Sequence, residues 1–165
     1  MTKEKQHQFD ISYLKMAKIW AENSYAIRLK VGCLIVKDGM IISDGFNGTL
    51  RGFPNTCEYA VMPSGNKVYT DDRNYLLELR DKGAALVTKD DVVHSEMNAL
   101  LKCSRHNVSC DGATIYISAC PCINCAKHII QANIRRVVYA DEYRNHDGVD
   151  LLKKANIEVE QINIE

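Results

Sequence analysis

The chain has no excess of charge of either sign: 21 lysines and arginines stand against 21 aspartates and glutamates. A long polyanion such as duplex DNA is gripped through a basic footprint, and overall neutrality supplies none. A small ligand is therefore expected and a nucleic-acid partner is not. No run approaches the roughly 18 consecutive apolar residues of a membrane span, and the opening MTKEKQHQFD lacks the apolar core of a signal peptide. No membrane partner is expected, and the expected location is cytoplasmic. Internal repeats are absent as well. No long segment is polar enough to forgo folding, since 46% hydrophobic and 25% charged residues are ordinary for a globular chain. The seven cysteines do not form an even set. In a reducing compartment their expected uses are metal binding or burial rather than disulfide bonding.

What is present alternates in period. The 165 residues suffice for one domain, which at this size buries about 68–70% of its unfolded surface. FDISYLKMAKIWAENS (9–24) places Ile11, Leu14, Ala17 and Ile19 at helical spacing, with Asp10 as the expected N-cap. Two runs rich in Val, Ile and Leu follow, joined by Asp38-Gly39, a hairpin signal. Residues 49–92 read as a polar insertion into a single 1–165 domain. Their one strong helical pattern is DDRNYLLELRDK, with Thr70 as a cap and Gly83 as a stop. Helix 95–105, strand 113–118, helix 121–133, strand 135–140, helix 148–156 and strand 157–162 complete the pass. Strands separated by helices imply crossovers and parallel pairing, whereas the hairpin is antiparallel. The expected fold is α/β: a three-layer α/β/α arrangement around a mixed sheet of about five strands.

Two stretches carry chemistry: HSEMNAL (94–100) and PCINC (121–125). Pro121 suits a first helical turn, and Cys122 and Cys125, three apart, then project to one side. His94 opens the preceding helix, so two helix N-termini can converge and favour thiolates. Three protein ligands leave a fourth tetrahedral corner for water, which is the pattern of catalytic rather than structural zinc. Glu96 is placed to move protons without ligating. The blander readings are a capping or core His94, a solvated first-turn Glu96 and a structural zinc module. CSRHNVSC offers a second ligand set in Cys103, His106 and Cys110, and Cys57 and Glu58 are weaker candidates.

H-x-E followed by P-C-x-x-C is the signature of zinc-dependent nucleobase deaminases. Over roughly residues 9–162 the chain resembles the deoxycytidylate deaminases, most visibly in KVGCLIVKDGMIISDGFNGTLRGFPNTCE. The resemblance implies a cytidine deaminase-like fold and hydrolysis of dCMP to dUMP. It makes His94, Cys122 and Cys125 the Zn2+ ligands and Glu96 the proton shuttle. Asn47 then contacts the substrate sugar, Ser24 and Arg28 the phosphate, and Tyr143 closes over the substrate. Ser95 stands where alanine is commoner, and Cys120 in SACPC replaces a serine. The competing readings are a surface cation for Arg28, a helix cap for Ser24, a packed aromatic for Tyr143 and a turn residue for Asn47. The resemblance also implies a hexameric homo-oligomer regulated by dCTP and dTTP. It places a triphosphate, with Mg2+, at the Gly45-Phe46-Gly48 turn, where glycines let amides approach phosphates. Deaminases of free nucleosides, guanine or transfer RNA, and a non-enzymatic zinc module, are the alternatives.

Overall fold

The computed structural model describes residues 2–143 and 145–164. In chain order the elements are α1 (Lys3–Ala21), β1 (Gly32–Lys37), β2 (Met40–Phe46), β3 (Glu58–Val61), β4 (Lys67–Val68), α2 (Arg73–Asp81), β5 (Ala85–Thr88), α3 (Ser95–Arg105), β6 (Thr114–Ala119), α4 (Ile123–Gln131), β7 (Arg136–Asp141), α5 (Asp147–Lys154) and β8 (Glu158–Gln161).

The β1–β2 hairpin forms as its sequence dictates. Asp38 and Gly39 both take positive φ, 51° and 77°, the two-residue connection whose twist matches the flanking strands. The central sheet then runs β2-β1-β6-β7-β8, with β1 antiparallel to both neighbours and β6, β7 and β8 parallel through the α4 and α5 crossovers. The mixed five-stranded sheet is the expected one.

Strand alternation divides the core into two layers. Cys33 and Ile35 of β1, Ile115 and Ile117 of β6, and Val137 and Tyr139 of β7 turn one way, into a core shared with Ala99 of α3, Ile129 of α4 and Leu152 of α5. Leu34, Val36, Tyr116, Val138 and Ala140 turn the other way, onto Leu14 and Ala17 of α1.

Helix α1 departs from its sequence reading. It begins at Lys3 behind a Thr2 N-cap, because the polar stretch KEKQHQF is itself helix-forming. Asp10 is therefore not a cap. It is 1% exposed in mid-helix, paired with Arg136 at 2.9 Å through both carboxylate oxygens and accepting from the Tyr116 hydroxyl at 2.7 Å. Burial pushes its carboxyl up, but the bonds from Arg136, Tyr116 and Gln6 outweigh this and hold it below its ordinary value. Ile19, one of the apolar residues at helical spacing, is exposed.

The insertion holds more than one helix. Strands β4-β3-β5 form an antiparallel three-stranded sheet, and α2 closes a small core of Ala60, Leu76, Leu79 and Ala84. Asp72, not Thr70, caps α2 by accepting from the amides of Asn74 and Tyr75. Thr70 instead accepts from the Asp72 amide, and Gly83, at φ 92°, ends the helix as expected. Ile27, from the irregular segment 22–31 between α1 and β1, packs on this small core. The insertion thereby reaches the site.

Candidate active site

The parallel strands deliver two helix N-termini to one place. His94 is the N-cap of α3 and Cys122 the N-cap of α4; both have extended backbones and neither side chain makes a capping hydrogen bond. This removes the reading of His94 as a capping residue and leaves both side chains free to ligate. Pro121 precedes the cap rather than occupying the first turn, and Cys125 lies in the first turn.

The three ligand atoms lie within 4.8 Å of one another. His94 Nδ1 is 3.5 Å from Cys122 Sγ and 3.4 Å from Cys125 Sγ. Metal–ligand bonds of about 2.3 Å to sulfur and 2.0–2.1 Å to nitrogen give tetrahedral nitrogen–sulfur edges of about 3.6 Å. The residues thus fit a zinc ion with one corner open. Donation from Cys125 and His94 holds the Cys122 thiol down at about 3, against its burial. Cys125, sharing its proton with that thiolate and buried beside Glu96, is held up. Metal ligation requires both thiols as thiolates, so binding of a cation would release the protons they carry. The Cys122 hydrogen bond raises the His94 imidazole against burial. Among the described residues no second group of this kind gathers, so the Cys103, His106 and Cys110 set and the Cys57–Glu58 pair form no such cluster.

Glu96 is 3% exposed in the first turn of α3, so it is not a solvated surface carboxylate. Burial raises its carboxyl above the ordinary value, opposed by its own backbone amide, by His94 and by the Ser95 hydroxyl, which donates to Oε2 at 2.9 Å. Ser95, noticed in the sequence only as a departure, thus orients the Glu96 carboxylate. A raised carboxyl beside a site for an activated water suits a group that must both take up and release protons.

His94, Glu96 and Cys122 open onto a cavity of about 590 Å³ that Asn47, Arg28 and Tyr143 also line. Arg28 Nη1 donates to Thr88 Oγ1 at 2.8 Å, and no carboxylate among the described residues pairs with it. Arg80 of α2 shares the wall. Asn47 is committed to the scaffold: Oδ1 accepts from the Val31 amide at 2.8 Å and Nδ2 donates to the Leu29 carbonyl at 2.9 Å. Ser24 does not line the cavity. Its hydroxyl donates to the Asn47 carbonyl and accepts from the Ala26 amide, which braces the wall that carries Asn47.

The glycine turn is closely packed at Gly45. Gly45 and Phe46 lie on β2, and a Cβ on Gly45 would meet the Ser95 carbonyl oxygen at 2.2 Å. Close packing of α3 therefore accounts for this glycine. The amides of Asn47 and Gly48 are bonded to Val31 and Val93.

Residues 7–141 match the family model of the cytidine and deoxycytidylate deaminase zinc-binding region. The chain belongs to this family. Among curated deaminases of the family, the deoxycytidylate deaminase of Enterobacteria phage T4 is 33% identical, covering 88% of this chain and 86% of that protein. ComE operon protein 2 of Bacillus subtilis is 34% identical over 93% of this chain and 70% of its own length. The crystal structure of the dCMP deaminase of cyanophage S-TIM5 in complex with dCMP and dUMP superposes with a TM-score of 0.75. The two are 33% identical, over 98% of this chain and 99% of that one. The five-stranded α/β architecture is that of this deaminase family. No helix among the described residues is long and apolar enough to cross a membrane.

Proposed function

We propose that the chain hydrolyses dCMP to dUMP and ammonia. One observation carries this reading: His94 and Cys122 of the ligand triangle line the same cavity as buried Glu96 and as Arg28, which no carboxylate among the described residues pairs with. It is supported by relatives named deoxycytidylate deaminase and by a structural neighbour bound to dCMP and dUMP. His94, Cys122 and Cys125 would hold the zinc ion, which when bound would supply a Lewis acid that lowers the pKa of a water to about 7. Glu96 accepts the proton of the attacking water and passes it to the ring nitrogen beside C4. As the C4–oxygen bond forms and the C4–nitrogen bond breaks, Glu96 delivers the second proton to the departing amine. Ser95 holds the Glu96 carboxylate by one oxygen, leaving the other to face the reacting atoms. Burial excludes bulk water from this proton traffic.

Substrate recognition is assigned to the remainder of the wall. Arg28 takes the 5′-phosphate, because a guanidinium with no carboxylate partner among the described residues gains most from a dianion. Asn47 offers the sugar its second Nδ2 hydrogen, and Tyr143 covers the base. A nucleoside deaminase has no use for Arg28, which disfavours that reading. We further propose a cytoplasmic enzyme assembled as a homo-oligomer, a hexamer, and tuned by dCTP and dTTP carrying Mg2+ on their phosphates. That effector contact is assigned to the surroundings of the Gly45-Phe46-Gly48 turn, where the amides of residues 47 and 48 are paired with Val31 and Val93.

The deciding experiment measures ammonia release from dCMP, CMP, deoxycytidine, dCTP and an RNA hairpin. dCMP should give the highest kcat/KM and the hairpin none. A preference for deoxycytidine would return the chain to the nucleoside deaminases, and release from none of the five would leave a zinc-binding module. Repeating the dCMP saturation with each triphosphate, with sedimentation of the protein, tests the regulatory and oligomeric part.

A further inference from the structure

Segment 22–31 forms one wall of the cavity through Ala26, Ile27, Arg28, Leu29 and Val31, yet it has no regular secondary structure. Beyond a few main-chain bonds at its two ends, its backbone groups find partners in side chains. Ser24 and Asn47 serve its two flanks, as described. The middle, which carries Arg28, is held from the opposite side. Glu58, the first residue of β3 in the insertion, accepts from the Ile27 amide at 2.9 Å and the Arg28 amide at 3.1 Å, both on Oε1. Thr88, its partner across the β3–β5 pair, accepts from Arg28 Nη1. Glu58 is 1% exposed, and its Oε2 is buried without a hydrogen-bond partner among the described residues. A buried acidic side chain with an unmet oxygen is costly, and a general contribution to packing would be made better by an apolar residue.

We propose that Glu58 is a positioning residue for phosphate recognition. From the insertion it fixes the main chain at Ile27 and Arg28, and so aims the Arg28 guanidinium into the cavity, with Thr88 setting its final orientation. The inference rests on the reading of Arg28 as the phosphate ligand. It gives the insertion a function: it is the outer jaw of the substrate site, and the central domain carries the inner one. The role depends on reach and on one accepting oxygen, not on charge. Glutamine keeps both, and aspartate keeps the charge but is one methylene short.

The test compares Glu58→Gln with Glu58→Asp in saturation kinetics on dCMP and deoxycytidine. Glu58→Asp should raise KM for dCMP about tenfold, the worth of one charge-assisted hydrogen bond, with the change confined to dCMP, while Glu58→Gln stays close to wild type. Placed on Arg28→Ala, Glu58→Asp should add nothing further to KM for dCMP, since it acts through that side chain. The opposite order, with Asp normal and Gln impaired, makes charge the determinant and overturns the proposal. Equal loss on both substrates makes Glu58 a plain structural residue and also overturns it. A wild-type enzyme with no preference for dCMP over deoxycytidine removes the Arg28 reading and Glu58 with it. A clear preference left unchanged by Glu58→Asp removes Glu58 alone.

Discussion

The two ends of the cavity are built by different means. At the metal end, His94 and Cys122 are helix N-caps and Cys125 and Glu96 lie in first turns. Their positions follow from helices packed on a five-stranded sheet, with Ala99 and Ile129 in the shared core. At the recognition end, Arg28 sits on an irregular segment held by Glu58, Asn47 and Thr88, side chains drawn from three other parts of the chain. Bond-making tolerates displacements of only a fraction of an ångström, so its groups belong on the most rigid elements. Binding a phosphate tolerates more, and a loop with adjustable clamps serves it. A chain built this way can change its substrate by altering an insertion while leaving the reaction intact.

Damage to the metal end should therefore be total. Cys125→Ala removes a buried ligand from a three-ligand site. It should lower zinc below one per chain by metal analysis and ammonia release to the uncatalysed level. Prolonged chelation of the wild type should do the same, with the far-ultraviolet circular dichroism of the sheet retained, because neither core layer depends on the ion. Full activity in chelated protein shown to be metal-free would break the zinc assignment.

Glu96→Gln separates chemistry from metal binding at the same end. The amide fills the same space but cannot cycle a proton, so zinc content and fold should persist while kcat falls by the roughly 10²–10⁴-fold that general acid–base catalysis supplies. Zinc lost in step with activity would make Glu96 a ligand or a fold element, erasing the division of labour between it and the triangle.

The same contrast explains what could be read from sequence. The bounds of α3 were legible to the residue, and α4 and the β1–β2 turn nearly so, because their signals are local: helical spacing and an Asp-Gly pair needing positive φ. The zinc ligands were legible because two short motifs name the residue types and the spacing that a tetrahedral ion requires. Asp10 was misread because its partner Arg136 is 126 residues away, and a polar residue ahead of an apolar stripe otherwise looks like a cap. The second sheet was missed because β3, β4 and β5 are four, two and four residues long, too short for alternation to register. Glu58 was seen only as a weak metal ligand, and nothing near it in sequence points to the amides of Ile27 and Arg28. The signal that finds it is structural: a buried carboxylate with one oxygen on two main-chain amides and the other on none.

The smallest of these effects sharpens the comparison most, because it should touch one substrate and spare the chemistry. Arg28 lines the cavity with its guanidinium anchored to a neutral hydroxyl, so its charge is available to a ligand. A phosphate on that fork gains charge-assisted bonds of about 1.5–3 kcal/mol, and Arg28→Ala should raise KM for dCMP roughly tenfold to a hundredfold. For deoxycytidine, which has no phosphate, KM should barely move. kcat on dCMP should change far less than KM, because the lost contact is made equally in ground and transition states. Arg28→Lys should fall between, keeping the charge but losing the planar fork and the Thr88 anchor. Equal shifts on both substrates would make Arg28 a plain wall residue. A kcat loss as large as that of Glu96→Gln would mean that the two ends of the cavity are not separable, and that phosphate binding is used to drive the chemistry itself.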